Sequence, residues 1–343
     1  MRAIVLNRHG DAGVLDDRTD VPAPEIRSGE ALVQVGATSV NRIDLFVRGG
    51  YPGMTLDFPH VPGADVAGTV VDVATDVEEV TEGDRVVSWP LVACGDCALC
   101  RKGHRALCAN WQYIGLHRPG SYADYVRVPA ESLIPLPESV PLDTAATLPV
   151  AGLTAYHALT SVGRLEPGET ALIWGGSGGL GTFAVQVARH RGAHVIATVG
   201  APHQRPDLEA LGADLVLNHH ADDVASTVDA FTEGEGVELV LDSVGAQTFP
   251  TGFGVLQKGG RLLLCGKMTG MDVELSLHQT YLRHLSIHGL YLGERSELEA
   301  LLRLVQDGVV RPVIDRRYPL ERAAEAQRAL EAGERFGKLL LEP

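Results

Sequence analysis

Apolar and polar residues alternate over short β-branched runs in the first third of the chain. The segments "RAIVLN", "ALVQVGATSV", "GTVVDVA" and "DRVVSW" are split by Gly, Pro and Asp turns, and this pattern predicts an antiparallel β-barrel. Near residue 150 the rhythm changes. "TALIWGG" reads as a buried strand, and "GLGTFAVQVARHRG" then sets Leu180, Ala184, Val187 and Ala188 at helical spacing. "HVIATVG", "DLEALGAD", "LVLN", "VELVLDSVG", "FGVLQKGG" and "RLLLCG" continue the series. Strand alternating with helix predicts a doubly wound parallel sheet covered on both faces, hence an α/β protein. "ELEALLRLVQDG" and "LERAAEAQRALEAGE" predict two amphipathic helices, and "FGKLLLEP" predicts a closing strand. No internal repeat or low-complexity segment interrupts this order. A length of 343 residues fits two domains.

Composition narrows the functional classes. No apolar run approaches the roughly 20 residues of a membrane span. "MRAIVLNRHGD" turns charged too early for a secretion signal, so a soluble cytoplasmic protein is expected. With 44 acidic against 29 basic residues the formal net charge is −15, which leaves no surplus to neutralise nucleic-acid phosphates. Only four basic residues are lysine, at 102, 258, 267 and 338. An acid-rich, lysine-poor surface suits a saline cytoplasm, and a GC-rich genome produces the same bias toward arginine.

The turn after "TALIW" reads "GGSGGLG", so Gly176, Gly178 and Gly181 fit G-x-G-x-x-G, with Ser177, Gly179 and Leu180 between them. One glycine makes the tight turn, the next admits a pyrophosphate to the backbone, and the third lets helix pack on strand. The helix N-terminus then presents its positive dipole end to the phosphates. Set between a strand and a helix, the motif predicts a dinucleotide site. The second strand bears on cofactor choice. It ends in Val199 and Gly200, where an NAD site places an acid for the ribose hydroxyls. That acid is missing, and His203 and Arg205 follow within a few residues, which favours NADPH over NADH.

Together these features resemble the medium-chain dehydrogenase/reductase superfamily, on the barrel-like first part, "GGSGGLG", "LDSVG" at 241–245 and the "FGKLLL" ending. The resemblance implies a GroES-like catalytic domain at 1–150, a Rossmann domain at 151–292 and a return to the catalytic domain at 293–343. It also implies cofactor contacts from Asp242, Val244, Cys265 and Gly266 at strand ends, and from Lys338 in the closing strand. Relatives commonly pair through the edge strand "LSIHGLYLG", so a homodimer or homotetramer is expected. Four of the five cysteines, Cys94, Cys97, Cys100 and Cys108, are spaced C-x2-C-x2-C-x7-C within residues 92–110. That spacing resembles the structural zinc lobe of the family's alcohol dehydrogenases. Four thiolates close a tetrahedral zinc site and leave no position for water. The alternative, disulfides, does not suit a reducing compartment.

Zinc alcohol dehydrogenases of this superfamily carry a second, catalytic zinc on a Cys, a His and a later Cys or Asp. The corresponding positions here are Asn41 in "SVNRIDLF", Ala64 in "PGADVAG" (with Asp65 for the family's Glu) and Val150 before "AGLTAYHAL". Amide, methyl and isopropyl groups do not replace thiolate or imidazole on zinc. The sequence therefore resembles the zinc-independent quinone and enoyl reductases, which deliver hydride from NADPH to a quinone or a conjugated double bond. Those enzymes mostly lack the four-cysteine lobe. Tyr51 in "RGGYPG" stands where enoyl-thioester reductases carry a catalytic tyrosine, and reads equally as a turn aromatic. Asn41 is the second candidate, as an amide donor to substrate or ribose. Two other readings remain: an alcohol dehydrogenase whose metal sits on His60, Asp44 and Asp65, and an NADPH-binding protein without turnover.

Overall fold

The computed structural model describes residues 1–50, 55–333 and 335–343. They form two compact units. The first comprises Met1–Ala151, Glu294–Asp307 and Ile314–Pro343, and the second comprises Gly152–Gly293 and Gly308–Val313.

The first unit is organised on the ten-residue strand Glu30–Ser39. It pairs antiparallel with Ala67–Val73, with Tyr125–Pro129 and, at its far end, with Lys338–Glu342. Arg85–Ser88 and Leu133–Pro135 extend this sheet beyond Ala67–Val73. Alternation decides which side is core: Ala31, Val33 and Val35 are buried against Val66, Val70, Val86, Val126 and Val128. Each such side chain contributes about 1.5–3 kcal/mol when fully withdrawn from water. The sheet departs from a purely antiparallel barrel at one place. Ile314–Pro319 runs parallel to Lys338–Glu342, because the helix Ala323–Ala332 between them is the crossover that parallel neighbours require.

Two consequences of this pairing build the site. The end of Glu30–Ser39 feeds directly into Asn41, which precedes the helix Arg42–Gly49. Pairing of Leu340 with Ser39, with the Val40 N–H on the Leu339 carbonyl at 2.9 Å, then lays Lys338 beside Asn41.

The second unit is a six-stranded sheet, entirely parallel, in the order Leu215–Asn218, His194–Val199, Thr170–Ile173, Val237–Asp242, Leu256–Leu264, Ser286–Gly289. The order moves outward in both directions from Thr170–Ile173, as in a Rossmann fold. The helix Gly179–His190 follows that first strand and buries Phe183, Val185 and Val187. Leu172, Ile196, Val240 and Leu262 from four strands pack with Phe249 and Phe253 in a common core. Among the described residues no helix is long and apolar enough to cross a membrane.

Candidate active site

The four-cysteine lobe is assembled by local turns. Cys97 precedes the short helix Ala98–Arg101, and its sulphur accepts the Cys100 N–H at 3.5 Å. The Cys108 sulphur accepts N–H bonds from Cys94 at 3.2 Å and Asn110 at 3.3 Å. The four Sγ atoms lie within 4.8 Å of one another, and none is in a disulfide. A tetrahedral zinc with bonds of about 2.3 Å sets its sulphurs about 3.8 Å apart, so the cage fits that ion. The backbone donors favour the thiolate form a metal needs; those of Cys100 and Ala109 bring the Cys97 thiol down to about 6. The lobe is tied to its own unit by the Ala106 N–H on Glu294 at 2.9 Å and by Arg105 on Glu131 at 2.5 Å.

The positions of the second, catalytic metal are brought together, but as a closed hydrogen-bond network. Asp65 is fully buried. Its Oδ2 accepts the Ser39 hydroxyl and the Asn41 amide (2.7 Å), with Lys338 Nζ at 3.5 Å, and its Oδ1 accepts the Val150 N–H at 3.0 Å. Lys338 also donates to Asn41 Oδ1 at 2.5 Å and lies 3.4 Å from the Val40 carbonyl. Ala64 is buried and offers only a methyl group. The carboxylate thus has four donors, and a metal could bind it only by displacing them.

This arrangement changes the expected role of Asn41. Its second amide contact is the Ser39 carbonyl at 3.2 Å, so both amide hydrogens are directed into the protein rather than at a ligand. Lys338 likewise spends its ammonium on Asn41, Val40 and Asp65 in place of the cofactor contact expected from sequence. Asp44 accepts the Asn41 N–H at 2.8 Å and the Tyr122 hydroxyl at 2.9 Å. Burial pushes its carboxyl up to about 7, against those two donors. His60 is turned to the Gly115 carbonyl at 3.0 Å. His60, Asp44 and Asp65 do not gather around a common point: among the described residues, Cys94, Cys97, Cys100 and Cys108 are the only group spaced to hold a metal. Tyr51 lies outside the described residues.

The dinucleotide loop fits its group. A Cβ on Gly181 would stand 2.2 Å from the Gly175 carbonyl oxygen, and one on Gly176 would stand 2.7 Å from Leu208. No side chain caps the N-terminus of Gly179–His190 and no acid lies in its first turn, which leaves the helix end to an anion. Gly266 approaches Ser243 so closely that a Cβ would stand 1.8 Å from its carbonyl oxygen. Asp242 is buried and braces its own turn: one oxygen takes the N–H groups of Val244 (2.7 Å) and Gly245 (2.9 Å), the other the Thr248 hydroxyl (2.8 Å). It shapes the loop that carries Val244 instead of reaching outward. Cys265 lies next to it, half-buried, with its thiol 3.8 Å from the Asp242 carbonyl and pushed up to about 12 by desolvation, which favours the neutral thiol. Arg205 is bound to Asp222 rather than standing free beside Gly200. What lines Gly200 is a pair the sequence reading missed. A Cβ there would lie 3.6 Å from His219 Cε1 and 4.0 Å from His220 Nε2.

Residues 27–138 match the alcohol dehydrogenase GroES-like domain, and residues 179–307 match the zinc-binding dehydrogenase domain. An alcohol dehydrogenase of Geobacillus stearothermophilus is 31% identical over 323 residues, 94% of either chain. The chain is a medium-chain dehydrogenase/reductase. The crystal structure of an NAD-dependent alcohol dehydrogenase superposes on this reductase-family chain with a TM-score of 0.95 at 36% identity, over 100% of both chains. A quinone oxidoreductase of Rattus norvegicus is 28% identical over 348 residues, 99% of this chain and 97% of its own. This medium-chain dehydrogenase is therefore an NAD(P)-dependent oxidoreductase whose relatives include both kinds.

Two outcomes follow from the geometry. Cys100→Ser should disorder the lobe and lower the melting temperature, because closed zinc sites supply of order 10 kcal/mol of apparent binding energy; a chelator strong enough to strip wild-type protein should do the same in a thermal melt. Lys338→Met should destabilise the fold by about 3–5 kcal/mol at neutral pH, since it strands a buried carboxylate. Adding Asp65→Asn to that variant should restore much of the loss in urea unfolding, whereas additive losses would show that the two side chains do not act as a pair.

Proposed function

We propose that this enzyme reduces a quinone or a carbon–carbon double bond conjugated to a carbonyl, taking hydride from NADPH and using no metal in the chemical step. The observation that carries the reading is the four-donor saturation of Asp65 amid Asn41, Ala64 and Val150. Alcohol oxidation needs a group that lowers the hydroxyl pKa, and a metal is the usual supplier. Four donors already engage the Asp65 carboxylate, three on Oδ2 and one on Oδ1, and a metal would have to compete with them. Reduction of an electron-poor acceptor has no such need, because its carbon is already electrophilic.

Bound NADPH would supply the hydride. The chain must then hold its phosphates, fix the acceptor and stabilise the charge that develops on the carbonyl oxygen. The uncapped helix end at Gly179 and the backbone of Gly176–Gly181 are suited to the pyrophosphate. For the oxygen we assign Tyr51, whose phenol, with an ordinary pKa of about 10, stays protonated at neutral pH and can donate. Asn41, Asp65 and Lys338 serve as a rigid, charge-balanced network rather than as donors to the substrate. NADPH is preferred over NADH on the missing acid at Val199–Gly200 and the two imidazoles beside Gly200. The zinc held by Cys94, Cys97, Cys100 and Cys108 is structural, one per chain. Copies of the chain pair along the unpaired edge of Ser286–Gly289, flanked in sequence by exposed Tyr281, Leu282 and Tyr291.

An alcohol dehydrogenase with a displaced metal is the competing reading, and the alcohol dehydrogenases among the relatives support it. Steady-state assays with an enone, a quinone and a primary alcohol separate the two. Both reductions should proceed, survive brief chelation and exceed alcohol oxidation by orders of magnitude. Tyr51→Phe should slow the enone by about 10²–10⁴-fold, the usual worth of general acid help, and the quinone less. Brisk alcohol oxidation that a chelator abolishes would overturn the proposal.

A further inference from the structure

The strand Leu215–Asn218 lies beside His194–Val199 with Val199 opposite Asn218, so the residues after both strands emerge together. After Val199 comes Gly200. After Asn218 come His219 and His220, both exposed, with ring centroids 4.2 Å apart. Their turn is well braced. The His219 N–H donates to the Val199 carbonyl (3.1 Å), the His220 N–H to Asn218 Oδ1 (2.9 Å), and the Asn218 N–H to Asp222 (2.7 Å). The nearest approach to Gly200 is made by imidazole edges, Nε2 of each ring lying 4.0 Å from where a side chain there would begin. No acidic residue stands at the end of His194–Val199 itself, and Asp222 at the adjoining strand end is engaged by the Asn218 N–H and by Arg205.

We propose that His219 and His220 form the recognition element for the 2′-phosphate of the cofactor, and that they make the choice between NADPH and NADH depend on pH. The inference rests on the dinucleotide reading of the glycine loop and names the residues that act at its ribose end. The other charged groups on the segments meeting there do not take over this role. Arg205 and Asp222 neutralise each other. Asp223 caps the next helix through the Ser226 N–H and hydroxyl. His203 lies in the short turn before Arg205, and Asp207 and Glu209 lie on the helix Arg205–Ala210. His219 and His220 are the side chains that meet Gly200.

The direction of the pH effect follows from linkage. Desolvation, with the neighbouring His220 charge, holds the free His219 imidazole below its usual value, so it is neutral in the free enzyme at pH 7. A phosphate dianion beside it favours the imidazolium, so its pKa rises in the complex and binding takes up a proton. NADPH affinity therefore increases as pH falls from the bound-state pKa toward the free one. The rise ends where the phosphate itself protonates, near pH ~6. NADH has no 2′-phosphate, so the ratio of the two dissociation constants cancels the titrating groups that both cofactors share and leaves those linked to the 2′-phosphate.

The test is fluorescence titration of the purified enzyme with NADPH and with NADH at steps from pH 8.0 to 6.5. One linked proton changes affinity by at most about tenfold per pH unit, so preference for NADPH should grow about three- to tenfold over that interval. In His219→Gln/His220→Gln the preference should fall and the ratio should become flat. A wild-type enzyme that prefers NADPH with a pH-independent ratio overturns the histidine assignment and leaves the NADPH reading intact. Equal or tighter binding of NADH at every pH overturns both. Failure of both dinucleotides to bind would instead reject the glycine-loop reading.

Discussion

The buried carboxylate of Asp65 ties together parts of the chain that are far apart in sequence. It accepts from Ser39 at the end of the central strand, from Asn41 before the first helix, from the Val150 backbone, and from Lys338 in the closing strand. An unpaired carboxylate would not tolerate that depth. Its partners must therefore be in place whenever the first unit is folded, and the closing strand must return across almost the whole sequence to supply the ammonium. The same contacts occupy the positions at which this superfamily otherwise ligates a reactive metal. The packing of the first unit thus depends on one set of hydrogen bonds.

The two metal positions have separated in purpose. In the lobe, four sulphurs lie within 4.8 Å of one another, and backbone N–H groups favour the ionised form of Cys97 and Cys108, while burial opposes it at Cys100. Such a cage is saturated and cannot polarise a substrate. At Asn41, Ala64 and Val150 stand an amide, a methyl and an isopropyl group, and the Asp65 carboxylate beside them is balanced by Lys338, while burial raises the Asp44 carboxyl to about 7.

Features encoded over a few residues were legible from the sequence. The strand-and-helix rhythm of the second unit, the glycine turn at 175–181 and the cysteine spacing each follow from local geometry, and the structure has them where the periodicity places them. The roles of Asn41 and Lys338 were not legible, because the donor and acceptor lie 297 positions apart and meet only through the pairing of two strands. The same holds for the ribose end of the dinucleotide unit. Arg205 stood closer in sequence to Gly200, but Asp222 claims it, while sheet order delivers His219 and His220. One signal was available: of four lysines, Lys338 alone sits in a strongly apolar strand, where an ammonium must find a carboxylate.

X-ray absorption at the zinc edge of the enzyme as purified tests the separation of the two positions most directly. The account predicts a single shell of four sulphur scatterers at about 2.3 Å, with no imidazole or carboxylate contribution. A mixed shell containing nitrogen or oxygen neighbours would mean that a second zinc is bound elsewhere in the chain, and would contradict a metal-free reaction site.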